Sequence, residues 1–199
     1  EIESDTDVIG GEETQLIGCV REVWQELGDR LYIFPGTHSK HILIRGSQMI
    51  DFKTYMTGEF FELLAKKSIL SNSVEAGAKT HSAKIRHSFE KGLNAAVDGN
   101  LLNEAFHVRT NQLFKKISAQ ENFYYLSGLL IGTEIRDLTS REYDQIIVVT
   151  SSSLYKFYQL AFQTLGLSKN IRMIPARAPN ELVVKGHYQL IKNNLKIEW

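Results

Sequence analysis

The chain has 199 residues, 43% of them hydrophobic and 23% charged, the balance of a soluble globular protein with one large domain or two small ones. Its 23 basic and 23 acidic residues cancel, which leaves no electrostatic footprint for nucleic acid or an anionic membrane. The single cysteine, Cys19, excludes an intramolecular disulfide and a cysteine-only zinc cage, and it suits a reducing cytoplasm. Apolar runs such as Leu129-Leu130-Ile131 fall far short of the roughly 20 residues that span a bilayer, and no signal segment opens the chain. Glu1 stands where an initiator methionine would, which suggests that residues precede it.

In chain order, residues 1–8 are polar and acidic and read as a linker into a domain over 9–199. Leu16, Ile17, Val20, Val23, Trp24 and Leu27 form an apolar stripe at helical period, with Cys19 as a small core filler and Gly28 as the stop. From Leu31 the period becomes that of strands. Runs at Leu31–Phe34, His41–Ile44 and Met49–Tyr55, separated by turns that contain glycine, predict an antiparallel meander. Helix returns from Gly58 to Leu70, with Phe60, Phe61, Leu63 and Leu64 expected to face inward.

Further helices are expected over about 82–97, 101–117 and 122–136. Gly128 and Gly132 sit four apart in the last of these, a spacing that costs helix stability and lets another backbone approach. The final sixty residues alternate: a buried strand at Ile146–Val149, a helix over Ser151–Leu165, a strand at Ile171–Ile174 and a helix over Pro179–Leu195. Strand–helix–strand–helix with short links implies parallel pairing. The whole order is that of an α/β, ribonuclease-H-like lobe: three antiparallel strands, then strand–helix–strand–helix, with a helical insertion at about 71–136.

Four patches are candidates for chemistry. Gly36-Thr37-His38-Ser39-Lys40 offers N–H groups, hydroxyls and one positive charge to a phosphate, or it is a polar hairpin turn. Glu12 and Glu13 open a helix, where carboxylates stabilise the dipole, or one of them faces a cleft as a general base. Thr57 and Glu59 stand where the third strand becomes a helix, at a sheet edge of the kind that binds ligands, or Thr57 caps that helix. Ser151-Ser152-Ser153 follows a buried strand and either meets a nucleotide or caps the next helix. The histidines show no zinc spacing, and Ser127 lies inside a predicted helix, which removes it as a nucleophile.

Taken together, Gly11-Glu12-Glu13-Thr14-Gln15-Leu16-Ile17-Gly18, Pro35-Gly36-Thr37-His38-Ser39-Lys40, Phe52-Lys53-Thr54-Tyr55-Met56-Thr57-Gly58-Glu59 and Leu126-Ser127-Gly128-Leu129-Leu130-Ile131-Gly132 resemble, in that order, the 2-keto-3-deoxygalactonate kinase family of the actin-like ATPase superfamily. The resemblance implies a two-lobed cytoplasmic kinase that uses ATP and magnesium to phosphorylate the 6-hydroxyl of 2-keto-3-deoxygalactonate in galactonate breakdown. This chain would be its C-terminal lobe. Gly36, Thr37, Ser39 and Lys40 would occupy the second phosphate loop, Ser151 and Ser152 the adenosine loop, and Thr57 and Glu59 the sugar-acid side. The family pattern identifies no base in this chain; Glu13, which projects nearer the buried face of its helix than Glu12, is the candidate, with Glu12 the other, and no residue is assigned to metal.

The chain departs from the family at His41, where tryptophan is usual, and at Ser151, where glycine is usual. The family's opening lobe, with its Asp-Trp-Gly-Thr/Ser-Thr loop, is absent from these residues, so this fragment alone is expected to be inactive. Two alternatives stay open. One is a non-catalytic sugar-acid or nucleotide sensor; the other is an oligomerisation module, such as a homodimer through the helical insertion.

Overall fold

A computed structural model describes residues 2–3, 8–9, 28–46, 48–77, 82–176 and 186. The helix expected over Leu16–Leu27, with Glu12, Glu13 and Cys19, lies outside these residues. So does the helix expected over Pro179–Leu195, apart from Gly186, which is helical. From the segment read as a linker, Ile2–Glu3 (β1) pairs antiparallel with Val8–Ile9 (β2), which crosses its boundary at residue 8. The chain divides into two compact units, Glu1–Tyr55 with Tyr143–Tyr155 and Asn170–Trp199, and Met56–Glu142 with Lys156–Lys169.

The first unit holds a five-stranded sheet of β3 (Asp29–Phe34), β4 (Ser39–Arg45), β5 (Gln48–Tyr55), β6 (Gln145–Ser151) and β7 (Ile171–Ala176), in the order β5-β4-β3-β6-β7. The first three strands form the expected antiparallel meander. The strands β6 and β7 add in parallel on the other side of β3. Tyr32, Phe34, Ile42, Ile44, Phe52, Ile147 and Val149 bury together on one face. Leu31, Ile33, Leu43, Ile146 and Val148, the alternate residues, are buried too. Unbroken apolar runs are what strands covered on both faces require.

Gly28 has φ 115°, and a Cβ there would collide with the Asp144 carboxylate. That carboxylate accepts a hydrogen bond of 2.7 Å from the Asp29 N–H, so the glycine admits the group that starts β3. Gly46, in the β4–β5 turn, has φ 59°.

The second unit is helical: α1 (Thr57–Lys67), α2 (Ala83–Asp98), α3 (Leu101–Leu113), α4 (Ala119–Ile135) and the larger part of α5 (Ser152–Thr164). The helix α4 is the central element, buried along most of its length. Ser118 and Glu121 close its N-terminus in a reciprocal capping box. Asn122, fully buried, donates to the Val108 and Ser73 carbonyls at 2.9 and 3.0 Å and accepts from Asn111. Burial, with Glu104 beside the hydroxyl, raises the Tyr125 phenol well above its ordinary range. Among the described residues no helix is long and apolar enough to cross a membrane.

Two sequence expectations need correction here. Phe61 and Leu64 do pack inward from α1, but Phe60 and Leu63 are 41% and 46% exposed. The helix expected to reach Ile117 ends at Leu113, because Lys115 turns left-handed at φ 52° and the Lys116 N–H closes on the Asn111 carbonyl at 2.9 Å.

Candidate functional site

Strand directions gather most of the candidate residues at one end of the sheet. The strands β3, β6 and β7 run parallel, and β4 runs against β3, so the C-terminal ends of β3, β5, β6 and β7 and the start of β4 share one edge. The Pro35–His38 connection leaves β3 at that edge. Ser151 ends β6 there, and Thr57 follows two residues after the last residue of β5. The carboxyl ends of parallel strands are where open α/β sheets bind ligands, because backbone groups there run out of sheet partners.

The first patch is a four-residue bend followed by the opening of β4. The Gly36 N–H donates to the Ser39 hydroxyl at 3.3 Å, which closes the bend. Thr37 is exposed and Ser39 fully buried. Among the described residues, nothing lies within 4 Å of where a Cβ on Gly36 would stand. Lys40 is not the exposed turn residue that the sequence suggests: it is 6% exposed, already in β4, and in register with Phe34 on one side and Thr54 on the other. Ser39 likewise pairs with Tyr55, so the register joins this patch to the strand that leads into Thr57. His41 is buried with its ring 4.5 Å from that of Tyr55.

At the head of α1, Thr57 does not act as the cap. Met56 holds that position without a side-chain cap, and the Thr57 hydroxyl instead donates to Glu134 Oε2 at 2.5 Å. The Tyr158 hydroxyl donates to the same oxygen at 2.8 Å. Glu59 stands in the first turn of α1. Ser151 and Ser152 form the direct passage from β6 into α5. Glu12 and Glu13 lie outside the described residues.

Glu134 and Tyr158 were missed by sequence reasoning. The available signal was an acid set in the apolar run Leu129-Leu130-Ile131-Gly132-Thr133-Glu134-Ile135, where burial demands partners. Ser127 lies within α4, as expected. A groove of about 510 Å³ in the helical unit, lined by Ile85, Phe89, Phe157, Leu160, Arg86 and Lys156 among others, takes in none of the candidate residues. Among the described residues no three His, Cys, Asp or Glu side chains group as a metal site.

Residues 1–184 match the family model described as 2-keto-3-deoxy-galactonokinase. A Rhizobium meliloti (strain 1021) protein assigned as 2-dehydro-3-deoxygalactonokinase DgoK1 is 35% identical over 178 residues, 85% of this chain and 55% of that protein. The 2-dehydro-3-deoxygalactonokinase of Escherichia coli (strain K12) is 35% identical over 164 residues, 80% of this chain and 53% of its own length. A crystal structure from Sinorhizobium meliloti, of a protein assigned to the same activity, superposes with a TM-score of 0.81 at 32% identity, over 99% of this chain and 63% of that one. The chain thus spans about half the length of the curated relatives it matches. With the family model matching nearly the whole chain and the fold shared, the chain belongs to the 2-keto-3-deoxy-galactonokinase family.

Proposed function

We propose that this chain forms the C-terminal, ribonuclease-H-like lobe of a sugar-acid kinase of the actin-like ATPase superfamily. In this reading ATP phosphorylates the 6-hydroxyl of 2-keto-3-deoxygalactonate. The observation that carries the proposal is the common sheet edge shared by the Gly36–Lys40 loop, the end of β5 and Ser151, in a chain of this family. The strand order, three antiparallel strands continued by two parallel ones, supports the lobe assignment.

Phosphoryl transfer depends chiefly on positioning and on neutralising charge. No described residue crowds Gly36, and the exposed Thr37 hydroxyl would donate to a phosphate held against the bend. Ser39, fully buried, would hold the bend's shape through the Gly36 N–H. Lys40, held in the opening of β4, would add positive charge beside the phosphate. Ser151 and Ser152 would meet the adenosine side, and Thr57 and Glu59 the sugar acid. Glu13, with Glu12 beside it, would take the proton from the 6-hydroxyl. Magnesium, carried on the ATP phosphates with few protein ligands, supplies further neutralisation when bound.

The test is ADP release coupled to 2-keto-3-deoxygalactonate, measured on the full-length gene product and on these 199 residues alone. The full-length product is expected to turn over, and the 199 residues alone to be inactive, as one wall of a two-lobed cleft. Sugar-acid binding without turnover by the full-length product would overturn the kinase reading in favour of a sensor.

A further inference from the structure

Glu134 is 2% exposed and stands one residue before the end of α4. Two physical penalties fall on an acid there. Burial removes its hydration, and the C-terminal end of a helix presents carbonyl oxygens, the negative end of the dipole. An apolar side chain in the same place would be free of both but would leave the Thr57 and Tyr158 hydroxyls without their acceptor, so the carboxyl group stands there for the bonds it accepts. What the acid does accomplish is visible in its bonds. One oxygen, Oε2, accepts both the Thr57 hydroxyl at 2.5 Å and the Tyr158 hydroxyl at 2.8 Å.

Those two hydroxyls belong to particular helices. Thr57 is the first residue of α1, which continues from β5, and Tyr158 is on α5, which continues from β6. A single carboxyl oxygen therefore ties together the two helices that emerge from strands ending at the candidate edge. It also fixes the side chain of Thr57 without help from a helix cap, since Met56 supplies none.

We propose that Glu134 is a positioning residue for the sugar-acid side of the site, acting through Thr57. Its carboxyl group holds the Thr57 hydroxyl and so sets the placement of the Thr57–Glu59 turn, the segment proposed for the sugar acid. The assignment rests on the sugar-acid kinase reading, and it adds a residue that touches no substrate itself.

The experiment compares Glu134→Gln, Thr57→Val, Thr57→Ser and the Glu134→Gln/Thr57→Val double variant in the full-length gene product. Glu134→Gln and Thr57→Val should each raise KM for 2-keto-3-deoxygalactonate by about tenfold or more, with KM for ATP held within about twofold. The double variant should be no worse than the poorer single one, because both act through one bond, and Thr57→Ser, which keeps the hydroxyl, should recover most of what Thr57→Val loses. Equal changes in both KM values, no change in either, or multiplied effects in the double variant would overturn the assignment. Should the unaltered protein fail to phosphorylate the sugar acid, the kinase reading falls by itself. Amide hydrogen exchange then decides the role of Glu134: Glu134→Gln should speed exchange at Phe60, whose N–H bonds the Met56 carbonyl, by about tenfold while α4 amides stay protected. Unchanged exchange at Phe60 would overturn the positioning role.

Discussion

Gly92 and Gly128 occupy reciprocal positions between α2 and α4. A Cβ on Gly92 would fall 2.1 Å from the Tyr125 carbonyl oxygen, and a Cβ on Gly128 would fall 2.1 Å from the Phe89 carbonyl oxygen. Each obstacle is backbone, so neither can swing aside. Alanine gains about 1 kcal/mol over glycine in a helix interior, whereas overpacking costs about 1–3 kcal/mol and more where backbones must part. The balance is unfavourable. Gly128→Ala should lower stability by about 2 kcal/mol or more in urea unfolding, and more than Gly132→Ala, whose Cβ would first meet the Ala96 side chain at 2.8 Å.

Lys40 supplies the sharpest test of the phosphate loop. Because it is buried in β4, Lys40→Ala removes packing as well as charge, so Lys40→Met is the cleaner variant. Lys40→Met in the full-length product should keep stability within about 1.5 kcal/mol while lowering kcat/KM for ATP by about tenfold to a thousandfold. An unaltered kcat/KM would reduce the loop to a hairpin bend.

The capping box of α4 makes stability depend on pH. Hydrogen bonds from the Ser118 hydroxyl and then from the Ser118 N–H hold the Glu121 carboxyl below its ordinary value of 4.5. A carboxyl depressed in the folded state adds stability that is complete above the ordinary value and is lost as pH falls through the depressed one. Ser118→Ala should therefore cost about 1 kcal/mol at pH 7. The destabilisation caused by Glu121→Gln should be visible at pH 7 and fade below about pH 4 in parallel denaturant titrations.

Asn122 joins three segments of the helical unit by bonds that an apolar residue cannot make. Asn122→Leu would strand the Ser73 carbonyl and the Asn111 amide away from water and remove the bond that Asn122 adds at the Val108 carbonyl. Each stranded group costs about 1–3 kcal/mol, so the variant should unfold at much lower urea than the unaltered protein.

The sheet was readable from the sequence because β3, β4 and β6 carry apolar runs bounded by glycine, proline and charge. The close approach of α4 was readable because glycines four apart in a helix have few other uses. Phe60 and Leu63 misled because the apolar pattern of α1 is nearly continuous, and periodicity alone cannot choose which side of such a helix is covered. The end of α3 carried no glycine signal, since a lysine takes the left-handed turn at 115. Lys40 read as a turn residue because strand pairing begins at Ser39, two residues before the apolar run at His41. The bond of Thr57 to Glu134 joins residues 77 positions apart, and no local pattern encodes such a pair.

The parallel placement of β6 beside β3 has a consequence for biosynthesis. Asp29, at the start of β3, meets Asp144 across 115 residues of sequence. At a ribosomal rate of about 5–20 residues per second, β3 and β4 wait roughly 6–23 s after emerging before the neighbouring strand exists. During that interval the edge from Arg30 to Ile33 offers unpaired amides and carbonyls to any passing strand, including the same edge on another nascent chain. Such distant pairing also slows folding once synthesis is complete, since the loop must close before the contact repays it. Cooler, slower expression, which keeps few unfinished chains near one another, should raise the yield of native protein.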